Sequence, residues 1–289
     1  TQAKEKNTAA KKTDGSKTKT VRGIENFMDA NFSGTERSRE CVLILCEGLS
    51  AMSGIVSGLS SSDRNLIGIY PLRGKLLNVR GESLKKITDN KEITDLKKIL
   101  GLENGKEYAT IEDVNHSLRY GKVMILCDQD TDGSHIKGLC INLFHCEWKS
   151  LTKIPGFISF MNTPILRASK AKTTLSFYNE GEYETWKRSL GADSASWKIK
   201  YFKGLGTSKS EEFKEYFEHK KMVSFVHTGK ESDDHLDMAF NKKRADDRKE
   251  WLSNYSREAF LDTSKPAIPY EEFIDRGLIH FSIYDKCTD

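Results

Sequence analysis

The sequence predicts an α/β fold, a parallel sheet flanked by helices and followed by a mixed α+β extension, and three observations predict it. Cys41-Val42-Leu43-Ile44-Leu45-Cys46 and Lys122-Val123-Met124-Ile125-Leu126-Cys127 are short, continuous apolar runs, the pattern of strands buried on both faces. Between and after them, apolar residues return at the 3.6-residue helical period. Strand, helix, strand, helix in this order gives a parallel sheet with right-handed crossovers.

Residues 1 to about 20 carry almost no large apolar side chain, so they cannot bury enough surface to offset their ordering entropy, and residues 1–35 are expected to be a flexible basic leader. Its lysines, Lys4, Lys6, Lys11, Lys12, Lys17 and Lys19, read as solvated charge rather than a DNA patch. After the Cys41–Cys46 run, Ser50 is placed to cap a helix whose apolar face is Met52, Ile55, Val56 and Leu59. Leu66–Tyr70 reads as a second strand, with helical candidates around 91–100 and 111–119. The Lys122–Cys127 strand runs straight into Asp128, and Ile136, Leu139, Cys140, Leu143 and Phe144 then line one face of the clearest helix in the chain. Gly156–Met161 offers another strand, which closes an α/β unit over residues 36–165. The extension, 166–289, begins with a hairpin around Leu166–Tyr178 and a helix opened by the capping box Ser208-Lys209-Ser210-Glu211. Its later helices interleave signs from Lys242 to Glu250, as solvated faces do.

A chain of 289 residues that is 37% hydrophobic can bury a sizeable core. No apolar run approaches the roughly 20 residues a membrane helix needs, and no hydrophobic stretch follows the Lys-rich N-terminus, so an intracellular protein without a membrane partner is expected. Six cysteines without a C-x-x-C pair read as reduced and structural. With 46 basic and 42 acidic residues, the net charge of +4 does not by itself imply nucleic acid.

Parallel α/β sheets bind ligands beyond the carboxyl ends of their strands, and two predicted strands here end in acid. One ends at Glu47, the other in Asp128-Gln129-Asp130-Thr131-Asp132-Gly133, where alternate residues can aim carboxylates at a common space. Two such charges about 4 Å apart repel by about 4 kcal/mol at an effective dielectric near 20, so a divalent cation is expected among Glu47, Asp128, Asp130 and Asp132. All-oxygen ligands favour Mg²⁺. A helix cap needs one of these side chains, not three. A calcium EF-hand also begins Asp-x-Asp-x-Asp-Gly, but its position 12 would be Leu139 and the element before it is a strand. A phosphatase of the haloacid dehalogenase type matches at Asp128, Asp130 and Thr131, with Asp128 as nucleophile. It requires a later apolar strand ending in paired acids, and Asp233-Asp234 follows Gly229-Lys230-Glu231-Ser232 instead. The toprim fold requires a Glu on an earlier strand and Asp-x-Asp on a later one, and both are present in that order.

The wording around these acids resembles eukaryotic-type topoisomerase II of the type IIA DNA topoisomerases, including the versions in large DNA viruses. The matching segments are Glu47-Gly48-x-Ser50-Ala51, Pro71-Leu72-Arg73-Gly74-Lys75-Leu76-Leu77-Asn78-Val79, Leu118–Lys122, Asp128–Gly138, Lys203–Ser208 and Asp247–Leu252. They lie in order over roughly residues 21 to 285. The resemblance implies a homodimeric, ATP-dependent enzyme that cuts and reseals double-stranded DNA, in the nucleus or at a site of viral replication. Carried over by motif, Glu47 and Asp128 hold a catalytic Mg²⁺, and Asp128 and Asp130 a second, with Asp132 a weaker ligand. Glu47 would also assist proton transfer to the departing oxygen. Arg73 and Lys75 are expected to meet the DNA backbone, with Arg80 in the same loop, and His135, Lys137 and Lys203 to add positive charge near it. A non-catalytic toprim module that only binds DNA is the other alternative to the phosphatase. The family usually carries Asp where this chain has Leu49, which leaves the expected metal ligands intact but places an apolar side chain beside the DNA-facing end of a helix. None of the ten tyrosines has the context of the family's nucleophile and no P-loop is present, so the attacking tyrosine, the ATP site and the dimer contacts are expected outside this chain. Alone it is expected to be catalytically incomplete.

Overall fold

The computed structural model describes residues 2–202, 204–219 and 221–288, except the side chains of 2, 3, 5–7 and 284–288. Among them nine strands form two sheets: β1 Val42–Glu47, β2 Ile67–Leu72, β3 Lys122–Leu126, β4 Ile158–Met161, β5 Leu166–Lys170, β6 Thr173–Phe177, β7 Lys198–Tyr201, β8 Met222–Val226 and β9 Ala267–Pro269. The main sheet has the order β2-β1-β3-β4-β8-β9, its first four strands mutually parallel. β8 joins antiparallel to β4, and β9 parallel to β8. The sheet therefore crosses the boundary drawn at residue 165. The expected hairpin is β5 and β6, which with β7 makes the small second sheet.

Residues alternating along the strands feed two cores. Leu43, Leu45, Val123 and Ile125 face a core shared with the helices Lys91–Leu100 and Thr131–Glu147. Ile44, Cys46, Met124 and Leu126 face the other, closed by Gly48–Gly58 and by Ser210–His219 from the extension. Burial on both faces is what the unbroken apolar runs required. Two helix starts differ from expectation. Gly48, at φ +77, turns the chain directly from β1 into a helix, so Glu47 stands at the N-cap position and Ser50 is already helical. The second helix starts at Ser210, and it is Glu212 that accepts from the Lys209 N–H at 2.8 Å.

The leader is not the free segment its composition implied. Gln2–Lys11 is helical and Ala10 is buried. The buried Lys97 ammonium donates to Ala10 O and Thr13 Oγ1 and pairs with Asp14 at 3.0 Å, while the Gly15 N–H donates to Leu102 O at 2.8 Å. Arg119, fully buried, donates to Thr18 O, Lys19 O, Ile99 O, Asp29 Oδ2 and Ser33 Oγ. Further on, Met28 and Ile69 exchange backbone hydrogen bonds at the outer edge of β2. The segment is pinned by polar contacts to its backbone and to the short polar side chains of Thr13, Asp14, Asp29 and Ser33 rather than by burial of large apolar side chains, so hydrophobic patterning carried no signal of it.

A second tie, within the extension, is sensitive to pH. His235 presents Nδ1 to the Glu231 carbonyl at 2.9 Å and Nε2 to Asp275 Oδ2 at 3.1 Å, so both ring nitrogens must donate and the ring is an imidazolium. The Asp275 hydrogen bond raises its pKa to about 9, burial opposing. A histidine with a raised folded pKa contributes stability that is complete below the unfolded value near 6.5 and lost as pH rises through about 9. Thermal melts of the wild type and His235→Gln are expected to differ by ~2–4 °C near pH 6 and to converge near pH 10; a gap independent of pH would exclude the imidazolium.

Candidate metal centre

The register aligns Cys46 with Leu126, so Glu47 leaves β1 one residue later and Asp128 leaves β3 two residues later, at the same end of adjacent strands. The loop after β3 is folded back on itself by Gly133, whose position would put a Cβ 1.9 Å from Asp128 O. Asp130 caps the helix Thr131–Glu147, its Oδ1 accepting from the Gly133 N–H at 2.7 Å. The capping role considered for these acids is thus filled by one of them, as a single cap requires.

Asp128 turns the other way. Its Oδ1 accepts from the Leu205 N–H at 2.6 Å, and Gly204, at φ +130, lies so close that a Cβ there would be 2.8 Å from Asp128 Oδ2. Gly204 is therefore required by the acidic loop as well as by its own backbone, while Gly206 meets nothing within 4 Å. The Leu205 contact, across 77 residues, has no signature in sequence because a backbone N–H makes it. Asp128, Gln129 and Asp130 line a cleft of about 160 Å³ with Thr163, Phe202 and Tyr216.

Burial pushes the Glu47 carboxyl above its usual range, and the carboxylates of Asp128, Asp130 and Asp132 push it the same way, Lys75 opposing. Asp128 is raised by burial and by Asp130, against the Leu205 N–H and Lys137. Glu47 makes no hydrogen bond among the described residues, and Asp128 and Asp130 each commit one oxygen, so free carboxylate oxygens remain. The donor set is all oxygen, and within the described residues no three of its ligand atoms lie within 4.8 Å of one another. That suits a small hard cation that keeps several of its waters better than a closed cage, so these residues fit Mg²⁺.

The basic residues divide. Lys75 Nζ pairs with Asp132 Oδ1 at 2.9 Å and lies 4.6 Å from the centre of the Phe281 ring. His135 stacks on the same aromatic ring, its ring centroid 4.0 Å from that of Phe281. His135 lines a separate cavity of about 370 Å³ with Arg248, Lys249 and Trp251, not the cleft of Asp128 and Asp130. Arg73 is half exposed and pairs with Glu25 at 2.6 Å. Lys203 lies outside the described residues. Lys137 is buried on the core side of the acids with its ammonium 4.8 Å from the Phe160 ring centre. Phe281, which joins Lys75 to His135, was missed by sequence reasoning. Leu49 is 55% exposed on the first helical turn after Glu47, an uncovered apolar side chain beside the acids.

Among the described residues one group does gather three ligand atoms within 4.8 Å: His145, His227 and Asp233. His145 lies at the far end of Thr131–Glu147, ~20 Å of helix rise from Asp130. Asp233, the acid a phosphatase would need beside Asp128, therefore sits at the wrong end of the helix.

A model of the Toprim domain family matches residues 42–162, and a model of the C-terminal associated domain of TOPRIM matches residues 161–286. DNA topoisomerase 2 of Pisum sativum is 48% identical over 280 residues, covering 95% of this chain and 19% of the relative. That of Arabidopsis thaliana is 49% identical over 281 residues with the same coverage, and DNA topoisomerase 2-beta of Homo sapiens 46% identical over 290 residues, 96% of this chain and 18% of the relative. The chain thus spans about a fifth of the length of the curated relatives it matches. The structure is similar to the crystal structure of the Plasmodium falciparum topoisomerase II DNA-binding, cleavage and re-ligation domain, with a TM-score of 0.87 and 44% identity over 93% of this chain and 36% of that one. No helix among the described residues is long and apolar enough to cross a membrane.

Proposed function

The chain belongs to the topoisomerase II family, of which it carries the toprim domain and its C-terminal associated domain, and from that premise we propose that it presents Mg²⁺ to a scissile phosphate of double-stranded DNA. The observation that carries this reading is the placement of Glu47 and Asp128 at the carboxyl ends of the adjacent strands β1 and β3, with Asp130 and Asp132 following, free oxygens remaining, and the Glu47 and Asp128 carboxyls raised by burial and by neighbouring carboxylates. Glu47, Asp128 and Asp130 hold the ion or ions, two per site in the full reading, and Asp132 supports them through its pairing with Lys75. When bound, Mg²⁺ supplies Lewis-acid stabilisation of phosphoryl charge.

The chain's own residues do the rest. The Leu205 N–H holds Asp128 Oδ1 and the Gly133 N–H holds Asp130 Oδ1, which leaves the second oxygen of each carboxylate for the ion. Lys75 and Arg73, on the loop after β2, supply cations for the DNA backbone, with Lys75 and His135 both packed on the Phe281 ring. Glu47, whose raised carboxyl lies closer to neutrality than an exposed glutamate, is suited to hand a proton to a departing oxygen. The attacking tyrosine, the ATP site and the homodimer contacts belong to other parts of the protein, which acts in the nucleus.

The test uses the full-length protein with supercoiled DNA and Mg²⁺, denatured to trap protein covalently joined to cut DNA. Adducts that form with Mg²⁺, are absent with EDTA, and are lost in Glu47→Ala and Asp128→Ala support the reading. A folded, DNA-binding protein that gives no adduct would instead be a toprim module without cleavage chemistry.

A further inference from the structure

The His145, His227 and Asp233 group has ligand types suited to a transition metal, but its hydrogen bonds describe something else. Arg80 Nη2 lies 2.7 Å from His145 Nδ1, and a guanidinium has only donors, so Nδ1 accepts and the proton is on Nε2. That Nε2–H donates to Asp233 Oδ1 at 2.7 Å. His227 repeats the arrangement: Nδ1 accepts from the Gly229 N–H, and Nε2 donates to the same Asp233 oxygen at 2.7 Å. Lys149 takes Asp233 Oδ2 at 2.9 Å. A metal on either Nε2 would leave that ring without a proton on either nitrogen, or would break the bond on its far side. Every polar atom of the group is already matched, with two cations, Arg80 and Lys149, against it.

Arg80 is what this group holds. Its Nε donates to Asn142 Oδ1 at 3.0 Å and Nη1 to Asp237 Oδ1 at 3.3 Å, and its side chain is only 14% exposed. Asn142, fully buried, also binds Asn78, two residues before Arg80. The loop from Arg73 to Arg80 has no regular secondary structure and is fastened at one end here, while Lys75 meets Asp132. Both fastenings lie on the same rod, the helix Thr131–Glu147. Asp132 and Asn142 are separated by ~15 Å of helix rise, so the side chains of Lys75 and Arg80 fasten the loop at two points along that helix. The geometry points to Arg80, seated by the proton-locked His145 and Asp233, as a positioning residue that sets where Lys75 stands beside the acidic site. The functional half of this inference rests on the proposed DNA-facing role of that loop; the structural half does not.

Two measurements on the 289-residue chain test it. Long-range ¹⁵N–¹H correlation of the histidine rings is expected to show Nε2–H tautomers for His145 and His227, unchanged by one equivalent of Zn²⁺; displacement of either proton by Zn²⁺ would make the group a metal centre and overturn the inference. Binding of a labelled duplex across a salt series is the second. Lys75→Ala is expected to lower the slope of log K against log salt by about 1. Arg80→Ala is expected to do the same although its own charge is buried and engaged, Arg80→Lys is not expected to restore it, and the double variant should lose no more than either single one. An unchanged slope in Arg80→Ala, or summed losses in the double variant, rules the positioning role out. If the chain binds no duplex at all, the DNA reading fails, and amide exchange of residues 76–80 in Arg80→Ala decides the rest: acceleration supports the tether, and unaltered protection removes it.

Discussion

Asp128→Asn is expected to lower Mg²⁺-supported DNA cleavage by the full-length protein by roughly 10²–10³-fold while leaving the fold intact. The substitution is nearly isosteric, and an asparagine Oδ1 can still accept from the Leu205 N–H that holds Asp128 at 2.6 Å, so the approach of Gly204 is preserved. What it removes is one negative charge from a place where burial and Asp130 already press against ionisation. Without Mg²⁺ the variant should therefore melt at or slightly above the wild-type temperature. Its Mg²⁺ affinity, followed by calorimetric titration of the chain, should fall at least ~10-fold. Asp132→Asn should do much less, because that carboxylate is 61% exposed and shares its charge with Lys75. Equal effects at Asp128 and Asp132, or an unaltered affinity at Asp128, would mean that the ion is held elsewhere.

How much of this could be read from the chain follows from which forces leave a trace in local sequence. β1 to β4 are legible because burial on both faces demands unbroken apolar runs, and each of those runs appears as a strand. The acids are legible because like charges at strand ends have few structural uses. β8 is buried only at alternate residues and β9 is three residues long, and both lie toward one edge of the sheet with partners far along the chain, so Met222–Val226 and Ala267–Pro269 carry no comparable pattern. The contacts that orient the site are long-range and polar: Leu205 to Asp128, Arg80 to His145, and Lys75 over Phe281. A donor in one segment and an acceptor in another each look like an ordinary surface residue until the fold brings them together. His235 and His145 make the point within one residue type. The ring nitrogens of His235 face two acceptors, whereas His145 has a donor on one side and an acceptor on the other, so the same residue is charged in one place and neutral in the other.

Arg119 is a place where the same blindness conceals a contribution to stability. Its guanidinium is fully buried, and its donors serve five acceptors: the carbonyls of Thr18, Lys19 and Ile99, Asp29 Oδ2, and Ser33 Oγ. Removing a buried partner of this kind costs about 3–5 kcal/mol, because the carboxylate and carbonyls it served are left without a donor. Arg119→Ala is therefore expected to lower Tm by on the order of 10 °C. Arg119→Lys should recover less than half of that, since an ammonium has three donors and no planar fork. The exposed Arg37, paired with Glu40 three residues on and lying over the Phe32 ring at 4.3 Å, serves as the control, and Arg37→Ala should lower Tm far less than Arg119→Ala. The loss should also be local in kind. With Arg119 gone, the carbonyls of Thr18 and Lys19 return to solvent, and trypsin should cut after Lys17 and Lys19 well below the melting temperature. If those bonds stay as resistant as in the wild type while Tm falls, Arg119 supports the core around Ile99 and Asp29 and does not pin the leader.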